Sequence, residues 1–193
     1  MDVTDPDQLV IVTVEEIIAA CQSMAGSPYD GEPVDQLEHA LQCASLARDS
    51  GGDRDFVIAA LLHDIARATA VAGIPFDGPR EHHGEIAARW LTPRVGAQIA
   101  WLAEQHVPAK RYLVATDVNY HAQLTEVSAR TLLAQGGPMS DEEVAAFRRA
   151  PDWRRAVQLR DLDDRAKVPG ALVPDLDTYR GDLTAVVAGA LAR

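Results

Sequence analysis

The chain has 193 residues, of which 47% are hydrophobic and 24% charged, an ordinary globular composition with enough length for one domain and a proper core. Its net charge of −11 argues against a nucleic-acid partner, since binding a polyanion needs a field of Lys and Arg; a small anionic substrate needs only two or three local cations. No apolar run approaches the ~20 residues that cross a bilayer, and the opening Met1-Asp-Val-Thr-Asp-Pro lacks the apolar stretch of a signal peptide, so a cytoplasmic protein with no membrane partner is expected.

Aromatic residues are only 5% of the chain, whereas Ala and Leu abound, a bias that favours helix. A first helix is expected from Gln8 to Met24, with Val10, Val12, Val14, Ile17, Ile18 and Cys21 as its apolar stripe. Two glycines and two prolines between Gly26 and Pro33 mark a loop. A second helix runs from about Val34 to Asp49 and stops before Gly51-Gly52. A third starts near Asp53 as its N-cap and contains Phe56-Val-Ile-Ala-Ala-Leu-Leu-His-Asp-Ile-Ala66, apolar all round and therefore central. Residues 69 to 81, with Gly73, Pro75, Gly78 and Pro79, read as irregular. Helical patterns resume at 82–92, 94–106, 108–116, 125–135, 140–148, 151–168 and 176–192. There is no strand-like alternation, so the reading is all-α, a single helical bundle over 1–193. Cys21 and Cys43, without CxxC spacing, read as reduced, buried thiols.

The chemistry centres on His63-Asp64, set within that apolar run. Burying an imidazole beside a carboxylate costs several kcal/mol unless something compensates. A metal ion does so directly, although a lone pair of this kind equally fits local hydrogen bonding. The pair has company in His39, near the start of the second helix, and in Asp163 within Arg160-Asp-Leu-Asp-Asp-Arg-Ala-Lys167. His39 … His63-Asp64 … Asp163 resembles the signature of the HD-domain superfamily of helical metalloproteins. His83-Gly-Glu-Ile-Ala-Ala-Arg-Trp-Leu91 is similar to the segment that gives binuclear members a third histidine, and His106 would be the fourth. The resemblance implies two metals bridged by Asp64. One would take His39, His63, Asp64 and Asp163; the other would take Asp64, His83 and His106. His82 competes with His83, which is preferred because the apolar helix follows its glycine. His121, in a polar stretch, reads as a surface or substrate-side residue.

Binuclear HD sites divide mostly between phosphodiester hydrolysis and oxygenation. Here Tyr29 and Glu32, in the loop before His39, resemble a feature of the mixed-valent diiron oxygenases that act on 2-amino-1-hydroxyethylphosphonate and its trimethylammonio relative. There a loop tyrosine can occupy the iron before substrate arrives, and a loop glutamate recognises the amino group. Lys110, Ser128 and Arg160 match anion-binding positions of that family, and the resemblance runs from about residue 29 to 168. It implies two irons, Fe(II)/Fe(III), with O2 as cosubstrate and Asp64, His63 and Tyr29 at the reacting centre. It further implies cleavage of a carbon–phosphorus bond in a small organophosphonate, releasing phosphate and glycine or betaine.

Taken singly, each substrate-side residue has a plainer reading: Tyr29 as a loop anchor, Ser128 at a helix start, and Glu32, Lys110 and Arg160 as solvated charges. The chain departs from the common His-Asp-Ile-Gly-His pattern, because Ile65-Ala-Arg67 follows the dyad. Arg67 then either adds a third cation to the pocket or pairs with an acid. Rival readings are a phosphohydrolase using Mn, Mg or Zn, an oxygenase acting on a polyol, and a metal- or ligand-sensing module. Oligomeric state has no signal in the sequence.

Overall fold

Local caps set where the first three helices begin. The Asp5 carboxylate accepts from Asp7 N–H ahead of α1 (Pro6–Gln22), and Asp35 forms a reciprocal capping box with Glu38 at the start of α2 (Gln36–Asp49). Asp53 is the N-cap of α3 (Arg54–Leu62) and accepts from Phe56 N–H. The chain continues through a 3-10 turn (Ile65–Arg67), α4 (Thr69–Ala72), α5 (His83–Val95), α6 (Ala97–Glu104), α7 (His106–Thr116) and α8 (Tyr120–Gln123). It ends with α9 (Glu126–Ala134), α10 (Asp141–Phe147), α11 (Trp153–Arg165), a second 3-10 turn (Leu176–Tyr179) and α12 (Arg180–Leu191). This computed structural model describes residues 5–29, 31–74 and 82–193. Among them there is no strand, only an isolated bridge between Pro28 and Asp35, and the architecture is the all-α bundle of an HD domain.

Residues Phe56 to Leu62 of α3 are all buried, as an all-round apolar helix must be, and α2, α6, α11 and α12 pack around it. A second, smaller cluster of Ala109, Tyr112, Phe147 and Ala156 joins α7, α10 and α11. Cys21 and Cys43 are buried free thiols. No helix among the described residues is long and apolar enough to cross a membrane.

Three expectations need correction. The apolar run predicts one helix carrying His63-Asp64 inside it, but α3 stops at Leu62. His63 is its C-cap, and Asp64 (φ −102°, ψ 16°) leads into the 3-10 turn. Apolarity shows burial and does not locate the break. His106, expected to close a helix, instead opens α7, because Gln105 separates α6 from it. The segment 69–81 contains the short α4 before Gly73, whose positive φ of 74° ends it; Pro75, Gly78 and Pro79 lie outside the described residues, as does Met1–Thr4.

Candidate metal centre

The capping box at Asp35 fixes the register of α2, which puts His39 at its fourth residue, pointing inward and fully buried. The break after Leu62 turns His63 and Asp64 to the same interior. Gly84 explains how the other two histidines arrive. A Cβ there would stand 2.9 Å from the Glu104 carbonyl oxygen, so only glycine lets the start of α5 approach the end of α6 this closely. His83, at the first position of α5, then meets His106, at the first position of α7, with their Nε2 atoms 2.7 Å apart.

Around these four rings lie two carboxylates. His39 Nε2 is 3.2 Å from His63 Nε2 and 3.4 Å from Asp163 Oδ1. Asp64 stands between the pairs, with Oδ2 3.7 Å from His63 Nε2 and Oδ1 3.2 Å from His83 Nε2 and 3.6 Å from His106 Nε2. Asp64, His83 and His106 form one buried group able to hold a metal ion, and His39, His63 and Cys43 form another. Cys43 Sγ lies 3.7 Å from His39 Nε2, one helical turn along α2. His82, by contrast, is mostly exposed and pairs with Glu85, and His121 is exposed.

The donor chemistry fits metal ions. Three of the histidines turn Nδ1 to a backbone carbonyl, His39 to Ala166 (2.8 Å), His63 to Ala60 (2.8 Å) and His106 to Ala103 (2.5 Å), which leaves Nε2 facing the centre. Asp64 Oδ1 is buried without a hydrogen-bond partner, a costly arrangement that a cation relieves. Burial pushes His39 down to about 4 and holds His106 well below the usual imidazole range, so these rings are neutral, as ligands must be. Burial alone would favour protonated carboxyls. It is outweighed at Asp64 by the Arg67 guanidinium, then His63 and His83, and at Asp163 by Arg160, then His63 and His39; both are held well below the usual carboxylate range. Burial, followed by the charges of Asp163 and Asp64, pushes the Cys43 thiol up, so it stays protonated.

Above this floor opens a pocket lined by Tyr29, Glu32, Asp64, Arg67, His83, His106, Lys110, Ser128, Arg160 and Asp163, together with Val107, Val127, Thr131, Gln135 and Lys167. Tyr29, Glu32, Arg67, Lys110, Ser128 and Arg160, the residues expected at the substrate, are among them, whereas His121 is not. Tyr29 stacks on His39 with ring centroids 4.0 Å apart and donates to Asp163 Oδ1 at 3.3 Å, and its loop is pinned to α2 by Gln36 Nε2 on the Pro28 carbonyl. Lys110 Nζ donates to Thr131 Oγ1 at 3.0 Å; burial and then Arg160 lower it to about 7. Arg67 both lines the pocket and lies 3.6 Å from Asp64 Oδ1, so the two roles open for it coexist.

Arg160 is engaged more heavily than a free anion-binding cation. It donates to Asp163 Oδ2 (2.8 Å), to both oxygens of Asp164 and to the Tyr120 hydroxyl (3.0 Å), and Tyr120 donates to Asp164 Oδ2 at 2.5 Å. Sequence reasoning missed Tyr120, Asp164 and Lys167. The spacing Arg160, Asp163, Asp164, Lys167 is one helical face and could have pointed to the last two; Tyr120, on the four-residue α8, had no such signal.

No protein-family model matches the chain. It is 39% identical over 173 residues to the hydroxymethylphosphonate dioxygenase of Gimesia maris, covering 88% of this chain and 86% of that protein. It is 38% identical over 149 residues to the glycine-betaine-forming [1-hydroxy-2-(trimethylamino)ethyl]phosphonate dioxygenase of Leisingera caerulea, covering 76% of each.

Proposed function

The chain belongs to the HD-domain phosphonate dioxygenase family, and on that premise we propose that it is a diiron oxygenase of a 1-hydroxyphosphonate, cleaving its carbon–phosphorus bond with O2. The observation that carries this reading is the convergence of four imidazoles and two carboxylates at the floor of a pocket whose walls carry Arg67, Lys110, Arg160 and Lys167. His39, His63, Asp64 and Asp163 would hold one iron, and Asp64, His83 and His106 the other. Asp163 is preferred to Cys43 because a carboxylate among imidazoles suits iron in oxygen chemistry better than a lone thiol, and its Oδ1 lies 3.4 Å from His39 Nε2. A mixed-valent iron pair, when bound, supplies the redox chemistry and open coordination positions that O2 activation requires.

The protein's own residues bind and orient the substrate. Lys110 offers its ammonium to the phosphonate, with Ser128 beside it and Thr131 holding the lysine in place. Arg160, gripped by Asp163 and Asp164, fixes the orientation of Asp163 while adding positive charge to the wall. Tyr29 caps Asp163, donating its hydroxyl to Oδ1 while stacking on His39, and would give way when substrate binds. Glu32 and Tyr29 would face the substituent on the hydroxyl-bearing carbon, an aminomethyl or trimethylammoniomethyl group in the reading drawn from the sequence.

The overall change balances with O2 alone: the carbon–phosphorus bond breaks, C1 is oxidised to a carboxylate, and the phosphorus leaves as inorganic phosphate. For an amine-bearing substrate the other product is glycine or betaine. Anaerobically purified, iron-loaded protein given a panel of 1-hydroxyphosphonates is expected to take up one O2 per phosphate released and to show the coupled Fe(II)/Fe(III) signal by EPR or Mössbauer spectroscopy. Hydrolysis of a nucleotide or phosphodiester with no O2 uptake would identify a phosphohydrolase of the same fold instead.

A further inference from the structure

The pocket contains two features that attract a cationic substituent, the Glu32 carboxylate and the face of the Tyr29 ring. Lys167 stands against both. Its Nζ lies 3.7 Å from Glu32 Oε1 and 5.7 Å from the centroid of Tyr29. Thr125 Oγ1 donates to the same Glu32 oxygen at 2.8 Å. The pocket's other carboxylates, Asp64 and Asp163, face the histidines of the floor. Asp164, the other acid beside Lys167 at 4.0 Å, already holds Arg160 and Tyr120.

We propose that Lys167 is a specificity determinant that turns this pocket towards 1-hydroxyphosphonates without an ammonium group, hydroxymethylphosphonate being the simplest. The inference rests on the oxygenase reading above and replaces its amine-bearing substrate with a phosphonate that carries no cation. A substrate ammonium arriving at Glu32 has to share one carboxylate with a resident lysine. Both side chains are only about one-tenth exposed, so water screens that repulsion poorly. A trimethylammonium seeking the Tyr29 face meets the same charge. An uncharged hydroxymethyl group leaves the Glu32–Lys167 pair intact and still delivers its phosphonate to Lys110. The selectivity therefore comes from a repulsive element already seated in the site, the usual way of rejecting a competitor.

The test compares kcat/KM for hydroxymethylphosphonate and for 1-hydroxy-2-(trimethylammonio)ethylphosphonate, read as O2 uptake and phosphate release by the iron-loaded protein. Calorimetric binding of each compound to the anaerobic protein gives a second readout. The wild type is expected to prefer hydroxymethylphosphonate at least tenfold. Lys167→Met is expected to shift that ratio at least tenfold towards the cationic compound through a lower KM and tighter binding, while Lys167→Arg keeps the wild-type preference. A wild type that prefers the cationic substrate overturns the inference, as does a Lys167→Met that lowers kcat/KM for both by the same factor. If Lys167→Met does not fold by circular dichroism, the wild-type preference and its retention in Lys167→Arg decide. Inactivity towards every phosphonate sinks the oxygenase reading itself, a different outcome from activity with the opposite preference.

Discussion

The floor of the pocket and its rim are built to different rules. The floor residues His39, His63, Asp64, His83, His106 and Asp163 are all at most 3% exposed, they come from four helices and the turn after α3, and three of the imidazoles are backed by backbone carbonyls. The rim residues Glu32, Ser128 and Lys167 come from a loop, from the first turn of α9 and from just beyond α11; Glu32 pairs with Lys167 and Thr125, Lys167 also lies beside Asp164, and the Ser128 carbonyl accepts from Lys110. Changing a floor residue leaves a buried polar group without its partner, whereas changing a rim residue alters which charges meet the substrate. On these grounds the proposed reaction would rest on the floor and its choice of substrate on the rim.

The largest effect should come from Asp64→Ala. It removes the carboxylate that stands between the two pairs of histidines, so metal content by mass spectrometry should fall below two ions per chain. O2-dependent phosphate release should drop on the order of 10²-fold or more, since even residues that only support a metal ligand are worth 10–100-fold. Two tightly held metals in this variant would break the distinction between floor and rim.

Next comes pH. Lys110 binds an anion only while protonated, and burial with Arg160 nearby sets its pKa at about 7 in the free protein. The charge is therefore present below pH 7 and lost above it, and KM for the phosphonate should rise roughly tenfold per pH unit on the alkaline side. Lys110→Arg, which stays charged, should abolish that limb. Because both proteins see the same ionisation of the substrate, the difference between their profiles isolates the lysine. Coincident profiles from pH 6 to 9 would remove Lys110 from phosphonate binding.

A smaller effect is expected at Gly84→Ala, where the added Cβ meets the Glu104 backbone carbonyl at 2.9 Å. Because backbone must shift, the cost should be about 1–3 kcal/mol, or several degrees in Tm. The His83–His106 pair should lose metal affinity more than the His39–His63 pair. Equal loss at both would mean that α5 moves as a unit with the rest of the floor.

Why the floor shows in the residues themselves, while Glu32 and Ser128 of the rim came only through the family resemblance and Lys167 not at all, follows from the same contrast. A histidine or aspartate set in an apolar run is conspicuous because burial demands compensation, and His63-Asp64 within Phe56–Ala66 carries that signal in the chain itself. The helices, likewise, announce themselves through Ala and Leu content and through caps such as Asp35 and Asp53. The break after Leu62 did not, because buried apolar residues continue on both sides of it, through Leu61 and Leu62 to Ile65 and Ala66. Lys167 and Asp164 sit in a charged stretch where solvated side chains look the same as pocket residues. Tyr120, 40 residues from Arg160, meets it only through the fold.

Tyr120→Phe should therefore give the smallest effect, and it probes the seam between the two regions. The hydroxyl donates to Asp164 and accepts from Arg160 Nε, and Arg160 in turn holds Asp163 through Nη1. The variant keeps the ring and loses two hydrogen bonds, but Arg160 retains both oxygens of Asp164, so the charge pair survives. A loss of about 1 kcal/mol in stability is expected, readable as a Tm lower by roughly 2–4 °C. If Arg160 belongs to the floor, acting through Asp163, the variant should bind the second metal equivalent more weakly with KM nearly unchanged. If it belongs to the rim, acting on the phosphonate, KM should rise while metal content stays full. The Asp163 Oδ2 contact at 2.8 Å, the closest that Nη1 makes to an acid, favours the first outcome.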